Sequence, residues 1–165
     1  MPSRDDILRQ AGTSFEPVPG VVIPARPASA TTALSELAYA QITGNVTGIV
    51  GTTFGTGTTI VTAPATVFAA TAILVHFFTP LVRVNAVQPI DFHVAEGATD
   101  LGLIAQYDTT VASNGIPLSG DLRIVPTAGS HTYSIVARVG GGSGSVFAGT
   151  GGVGATAPAF IRITQ

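Results

Sequence analysis

Ile90-Asp91-Phe92-His93-Val94 sets an apolar side chain at every second position and a polar one between. Successive side chains of an extended chain point to opposite faces, so this period of two predicts a strand with one face in a core. The pattern recurs downstream. Tyr133, Ile135, Ala137 and Val139 alternate with Thr132, Ser134 and Arg138; Leu122 and Ile124 alternate with Asp121 and Arg123; Ile161 and Ile163 bracket Arg162. Ile73-Leu74-Val75-His76-Phe77-Phe78 is more continuously apolar, the expectation for a central strand covered on both faces.

Turn residues separate these runs: Asn85, Glu96-Gly97, Asn114-Gly115, Ser119-Gly120, Ala128-Gly129 and Gly140-Gly141-Gly142. Past residue 34 no segment carries a helical stripe, and no repeat of fixed period is visible. Roughly eight to ten short strands at this spacing suit a sandwich or barrel. The expected fold is all-β, an antiparallel jelly-roll-type sandwich over residues 34–165.

The chain has 165 residues. One domain of that size buries roughly 70% of the surface its unfolded chain exposes, so it needs no disulfide, metal or cofactor for stability. There are no cysteines. Charged residues make up 10% of the chain, against about 25% in an ordinary soluble domain. Every basic residue is Arg, a bias typical of a GC-rich coding genome. The net charge of −2 supplies no basic field for a phosphate backbone, which argues against a nucleic-acid partner.

Mean hydropathy is +0.49, and no charged residue lies between Glu36 and Arg83. A spanning helix needs about 20 apolar residues without breakers. This stretch carries Gly44, Gly48, Gly51, Gly55, Gly57, Pro64 and Pro80, which punctuate strands instead. Arg4, Asp5, Asp6 and Arg9 interrupt any signal-peptide apolar region. The chain reads as a soluble protein with no membrane partner, its low-charge surface made of Thr, Ser, Gly and Ala or covered by partners.

Residues 1–33 read as a separate arm. Ser3 caps a predicted short helix with Asp5 and Asp6 in its positive first turn, and Gly12 ends it. Pro17, Pro19, Pro24 and Pro27 then impose an extended path. Fully stretched, about 28 residues reach about 90 Å. Ile7, Leu8, Phe15, Val18, Val21, Val22 and Ile23 make the arm more apolar than a solvated linker. Two readings are open: a leader or strap on its own domain, or a tether that orders on a neighbouring subunit. The second is the expectation carried forward, with those seven residues as the partner-binding set.

Signals for chemistry are thin. Gly149-Thr150-Gly151-Gly152-Val153-Gly154 fits G-x-G-x-x-G, but a strand follows where a dinucleotide site needs a helix N-terminus. A flexible turn or a close backbone approach explains these glycines better. No Ser sits in G-x-S-x-G. His93 shares a strand face with Asp91, and Glu96 is near, but one such pair is short of the three or four ligands a metal needs. Asp100, Asp108 and Asp121 fall beside predicted loops or strand ends, where Asp serves turns. Asn45-Val46-Thr47 fits a glycosylation acceptor but lacks a secretory context. No catalytic residue, metal or cofactor is expected, and the chain does not read as an enzyme.

Glu36-Leu37-Ala38-Tyr39-Ala40, then Ala128-Gly129-Ser130-His131-Thr132-Tyr133-Ser134, Val146-Phe147-Ala148-Gly149 and Pro158-Ala159-Phe160-Ile161-Arg162-Ile163-Thr164 together resemble a known family. It is the jelly-roll virion domain of tailed phages that infect actinobacteria, similar in architecture to C1q and tumour-necrosis-factor modules. The resemblance covers roughly residues 34–165. It implies a core aromatic at Tyr133, a homotrimer, and a place in the virion, and it assigns no catalytic residue. The expected function is a capsid decoration protein, assembled in the host cytoplasm, whose arm binds the major capsid protein. The alternative is a receptor-binding or tail-tip domain, with Gln106-Tyr107-Asp108 or Ser113-Asn114-Gly115 as contact loops.

Overall fold

The computed structural model describes residues 34–112, 114–153 and 155–165. The expected N-terminal helix and arm, with Ile7, Leu8, Phe15, Val18, Val21, Val22 and Ile23, lie outside the described residues.

Among the described residues twelve strands follow one another: β1 (Glu36–Ile42), β2 (Val46–Ile49), β3 (Thr58–Thr62), β4 (Thr66–Phe68), β5 (Ile73–Val84), β6 (Pro89–Glu96), β7 (Thr99–Asp108), β8 (Gly115–Ile124), β9 (Gly129–His131), β10 (Tyr133–Val139), β11 (Gly144–Phe147) and β12 (Ala159–Thr164). A single 3-10 turn, η1 (Phe54–Thr56), interrupts them. The count exceeds the expected eight to ten because β2, β4, β9 and β11 are three- or four-residue strands too short to show a period.

Pairing is nested. β6 pairs with β7, β5 with β8, β3 with β10 and β1 with β12, all antiparallel. Eight strands paired from the middle outward form one long hairpin. Rolled up, it places β1-β12-β5-β8 in one sheet and β3-β10-β6-β7 in the other. That is a jelly roll. β11 and β2 extend the first sheet along the far half of β5, and β4 with β9 forms a small separate ribbon.

The inner faces make the core. Val75, Phe77, Val82, Val84, Val146, Ile161 and Ile163 come from one sheet, and Ile90, Phe92, Val94, Tyr133, Ile135 and Val139 from the other. Phe77 and Phe92 meet with ring centroids 5.0 Å apart. Tyr133 is 1% exposed and takes the core-aromatic place that the resemblance implied.

Four local expectations are corrected. Ser119-Gly120 is not a turn; it lies inside β8, where a Cβ on Gly120 would stand 1.9 Å from the Ile104 carbonyl oxygen. The glycine permits close approach of β7 and β8 rather than a reversal. Asp121 accordingly sits mid-strand, and Gln106-Tyr107-Asp108 closes β7 with Tyr107 buried rather than forming a loop. The two best strand patterns exchange their burial. β5 is central, as expected, yet Leu74, His76 and Phe78 on its outer face are only half-buried. β6, expected to be half-exposed, buries Asp91 and His93 to 7% and 9% exposure, because side chains from β7 and β10 cover them.

The Gly-rich segment after β11 behaves as a close backbone approach. Gly149 N–H donates to Ala157 O and Gly151 N–H to Thr156 O, and a Cβ on Gly149 would lie 2.5 Å from Thr156 O. No helix follows it.

Candidate interaction face

The outward side of the β1-β12-β5-β8 sheet is built in rows set by strand register. One row runs Gln41, Phe160, Phe78, Ser119. The next runs Tyr39, Arg162, His76, Asp121, and the third Glu36, Thr164, Leu74, Arg123. Alternation explains the selection, because the intervening residues of each strand point into the core. The outward residues nevertheless include an aromatic cluster, whereas the outer face of an antiparallel sheet usually turns polar.

Phe160 is its centre. Its ring lies 5.6 Å from Tyr39, 5.5 Å from Phe78 and 5.5 Å from His76, centroid to centroid. Tyr39 is 40% exposed, and its hydroxyl donates to Gln41 Oε1 at 2.8 Å. Further along β5, the Arg83 guanidinium sits 5.2 Å over the Phe147 ring. Such aromatic pairs contribute about 0.5–1.5 kcal/mol beyond simple burial. Aromatic and Arg side chains on one sheet face that no other described element covers are also the composition enriched at protein interfaces.

Charges on this face come in both signs. His76 Nδ1 lies 2.7 Å from Asp121 Oδ1. Both line a recess of about 530 Å³ with Leu34, Glu36, Leu74, Arg162 and Thr164. Ser35 and Gln165 exchange two backbone hydrogen bonds, 2.9 and 3.0 Å, which pin the start of the described chain at the rim of this recess.

The opposite sheet carries a polar cluster on its outer side. Arg138 reaches Asp91 Oδ2 at 2.7 Å, donates through Nε to His93 Nε2 at 3.3 Å and through its Nη1 to the Thr52 carbonyl at 3.3 Å. Gln106 Nε2 donates to Asp91 Oδ1 at 2.6 Å, and His93 Nδ1 lies 3.0 Å from Asp100 Oδ2. The anticipated Asp91–His93 proximity is real, but an arginine stands between them. Glu96 does not join; it binds His131 Nδ1 at 2.6 Å. Among the described residues no group of three or more His, Asp or Glu side chains converges in a metal-holding arrangement.

That Glu96 hydrogen bond is the main cause raising the His131 pKa above its usual value, partly opposed by burial and aided by the Thr127 carbonyl. Burial, and then the Glu96 charge, raises the Tyr133 phenol. All three histidines of the chain thus place Nδ1 against a carboxylate on another strand.

The aromatic face was missed in the sequence. Its signal was the Leu74, His76, Phe78 series, which reads equally well as the second covered face of a central strand. Among the described residues no helix is long and apolar enough to cross a membrane.

No protein-family model matches the chain, and no curated protein matches it. Among solved structures it is similar to the Eiger TNF of S. frugiperda, at 9% identity and a TM-score of 0.47, over 80% of this chain and 92% of that one.

Proposed function

We propose that this chain is a structural virion protein of a tailed phage. In this reading it is a capsid decoration protein that assembles as a homotrimer through the outer face of the β1-β12-β5-β8 sheet. Residues 1–33 then dock it on the major capsid protein at the head surface. No catalysis and no cofactor belong to this reading.

The observation that carries it is the cluster of Tyr39, Phe78 and Phe160 on a sheet face that no other described element covers, in a chain with 10% charged residues. A partly exposed aromatic cluster on so weakly charged a surface is a liability unless a partner covers it. Closed symmetry covers it with copies of the same face, and the mixed signs of Arg162, Glu36 and Asp121 allow opposite charges to meet across it. The virion setting is supported by the resemblance of residues 34–165 to phage jelly rolls. Three arms from one trimer would bind a shell multivalently, so individually weak apolar contacts add up to durable attachment. The receptor-binding alternative draws no support from Tyr107, which is buried in β7.

The test is co-sedimentation of the full chain with phage heads stripped of accessory proteins, beside intact host cells. Saturable pelleting with heads, lost on deleting residues 2–27, is the expected result. Pelleting with cells alone overturns decoration in favour of adsorption.

A further inference from the structure

Glu96 on β6 and Tyr133 on β10 are register partners at one end of the four-stranded sheet, so their side chains fall on the same sheet face. That face is the core side, since Tyr133 is 1% exposed. Both side chains border a recess of about 220 Å³. Leu101 from β7, Ile124 at the end of β8, and Val125 and Pro126 just beyond it form its apolar wall.

The polar groups are held in place. The Tyr133 ring stacks on His131, with centroids 5.9 Å apart and 1° between the planes, and Phe68 meets it edge-on at 5.5 Å. The Tyr133 hydroxyl makes no hydrogen bond among the described residues. Every enclosed side-chain oxygen and nitrogen there is paired, so this oxygen opens into the recess that the residue borders. Phenylalanine would fill the same core position without a polar group to satisfy. Burial and the Glu96 charge raise the phenol, which is therefore a donor at neutral pH. Glu96 gives Oε1 to His131 Nδ1 at 2.6 Å and keeps Oε2 for another donor.

These groups select the ligand. The partners of His131 favour its charged form, so the Glu96–His131 pair is close to neutral and a charged ligand gains little. With one carboxylate oxygen taken, a guanidinium cannot bind through two parallel hydrogen bonds. What remains is a donor, Tyr133 O–H, near an acceptor, Glu96 Oε2, over an aliphatic wall. Neighbouring hydroxyls of a sugar ring match the first two, and the C–H face of the ring matches the wall. Sites for drug-sized ligands run to roughly 300–1,000 Å³, so this smaller recess suits a single ring.

We propose that the recess binds one sugar ring, with Tyr133 donating to one hydroxyl and Glu96 accepting from its neighbour. The site is independent of the assembly reading, which uses the outer face of the β1-β12-β5-β8 sheet.

Amide NMR of the full chain, titrated with methyl α-glucoside, methyl α-galactoside and methyl α-mannoside, tests it. These probes differ only in how their hydroxyls are directed; n-butanol and n-butylammonium are run beside them. Saturable shifts at Glu96, Leu101, Thr127 and Tyr133 with at least one glycoside, at lower concentration than n-butanol, are expected. Tyr133→Phe keeps the ring stack and should weaken that binding about threefold to tenfold, the worth of one hydrogen bond. Val125→Trp, at a position 62% exposed on the rim, should crowd the recess without disturbing the core. Absence of shifts with all three glycosides overturns the site. An equal or stronger response to n-butanol also does so, since the recess is then only an apolar cleft. Saturation by n-butylammonium alone would assign a cation instead, and binding unchanged in Tyr133→Phe would remove the hydroxyl from the site. The comparison of probes needs only the wild-type chain, so a poorly folding variant does not remove the test.

Discussion

Glu96 Oε1 lies 2.6 Å from His131 Nδ1, while His131 Nε2 faces the Thr127 carbonyl at 2.9 Å. His131 thus stands between two acceptors, an arrangement only the doubly protonated ring satisfies in full. His93 instead stands between the Asp100 carboxylate and the Arg138 guanidinium. The partners of His131 thus favour its charged form.

For His131 the stability consequence has a definite sign. Its folded pKa is raised above 6.5, chiefly by Glu96. The stabilisation is therefore complete below the unfolded value and fades as pH rises through the folded one. Urea unfolding of wild type and Glu96→Gln should show a stability gap that is wider at pH 5.5 than at pH 8.5. A gap that widens toward alkaline pH would contradict the assignment.

Phe160 is expected to hold copies together rather than hold the fold. Phe160→Asp should lower the molar mass measured by light scattering to that of a monomer, with the far-UV circular dichroism unchanged. If the wild-type chain is already monomeric at micromolar concentration, the face does not mediate self-association.

Phe77 and Phe92 bridge the two sheets, both fully buried. Phe92→Ala should cost about 3–5 kcal/mol in denaturant unfolding. In a double-mutant cycle with Phe77→Ala the two losses should fall short of additivity, because each removes the other's partner.

Gly120→Ala places a Cβ 1.9 Å from Ile104 O, whereas Gly44→Ala meets nothing within 4 Å. The first should destabilise by at least about 1–3 kcal/mol as β7 and β8 are forced apart. The second should stay within about 0.5 kcal/mol of wild type. Equal midpoints for the two variants would refute the close approach.

Arg138→Ala leaves Asp91 buried with Gln106 as its remaining side-chain partner. A loss of about 1–3 kcal/mol is expected at pH 7. Adding Asp91→Asn should recover part of it, since the uncompensated charge is then gone. A double variant less stable than Arg138→Ala alone would place the penalty elsewhere.

Much of the architecture was written in local pattern. The alternation at 90–94, 122–124, 133–139 and 161–163 named strands that exist, and their inward residues are the core, because a strand's period of two depends only on the chain itself. Turn chemistry placed the reversals at Gly97 and Gly140-Gly141-Gly142 for the same reason. Tertiary structure decided what lies on each strand's second face. Asp91 and His93 are buried because Arg138 arrives from β10 and Gln106 from β7, 47 and 15 residues away in sequence respectively counting from Asp91. Leu74, His76 and Phe78 stay half-buried because, among the described residues, β5 has sheet neighbours but no layer above them. Gly120 resembles a turn residue in isolation and is a contact residue in the fold. Which side chains lie against a given strand depends on strand order and register, and those are settled by packing between segments far apart in the chain.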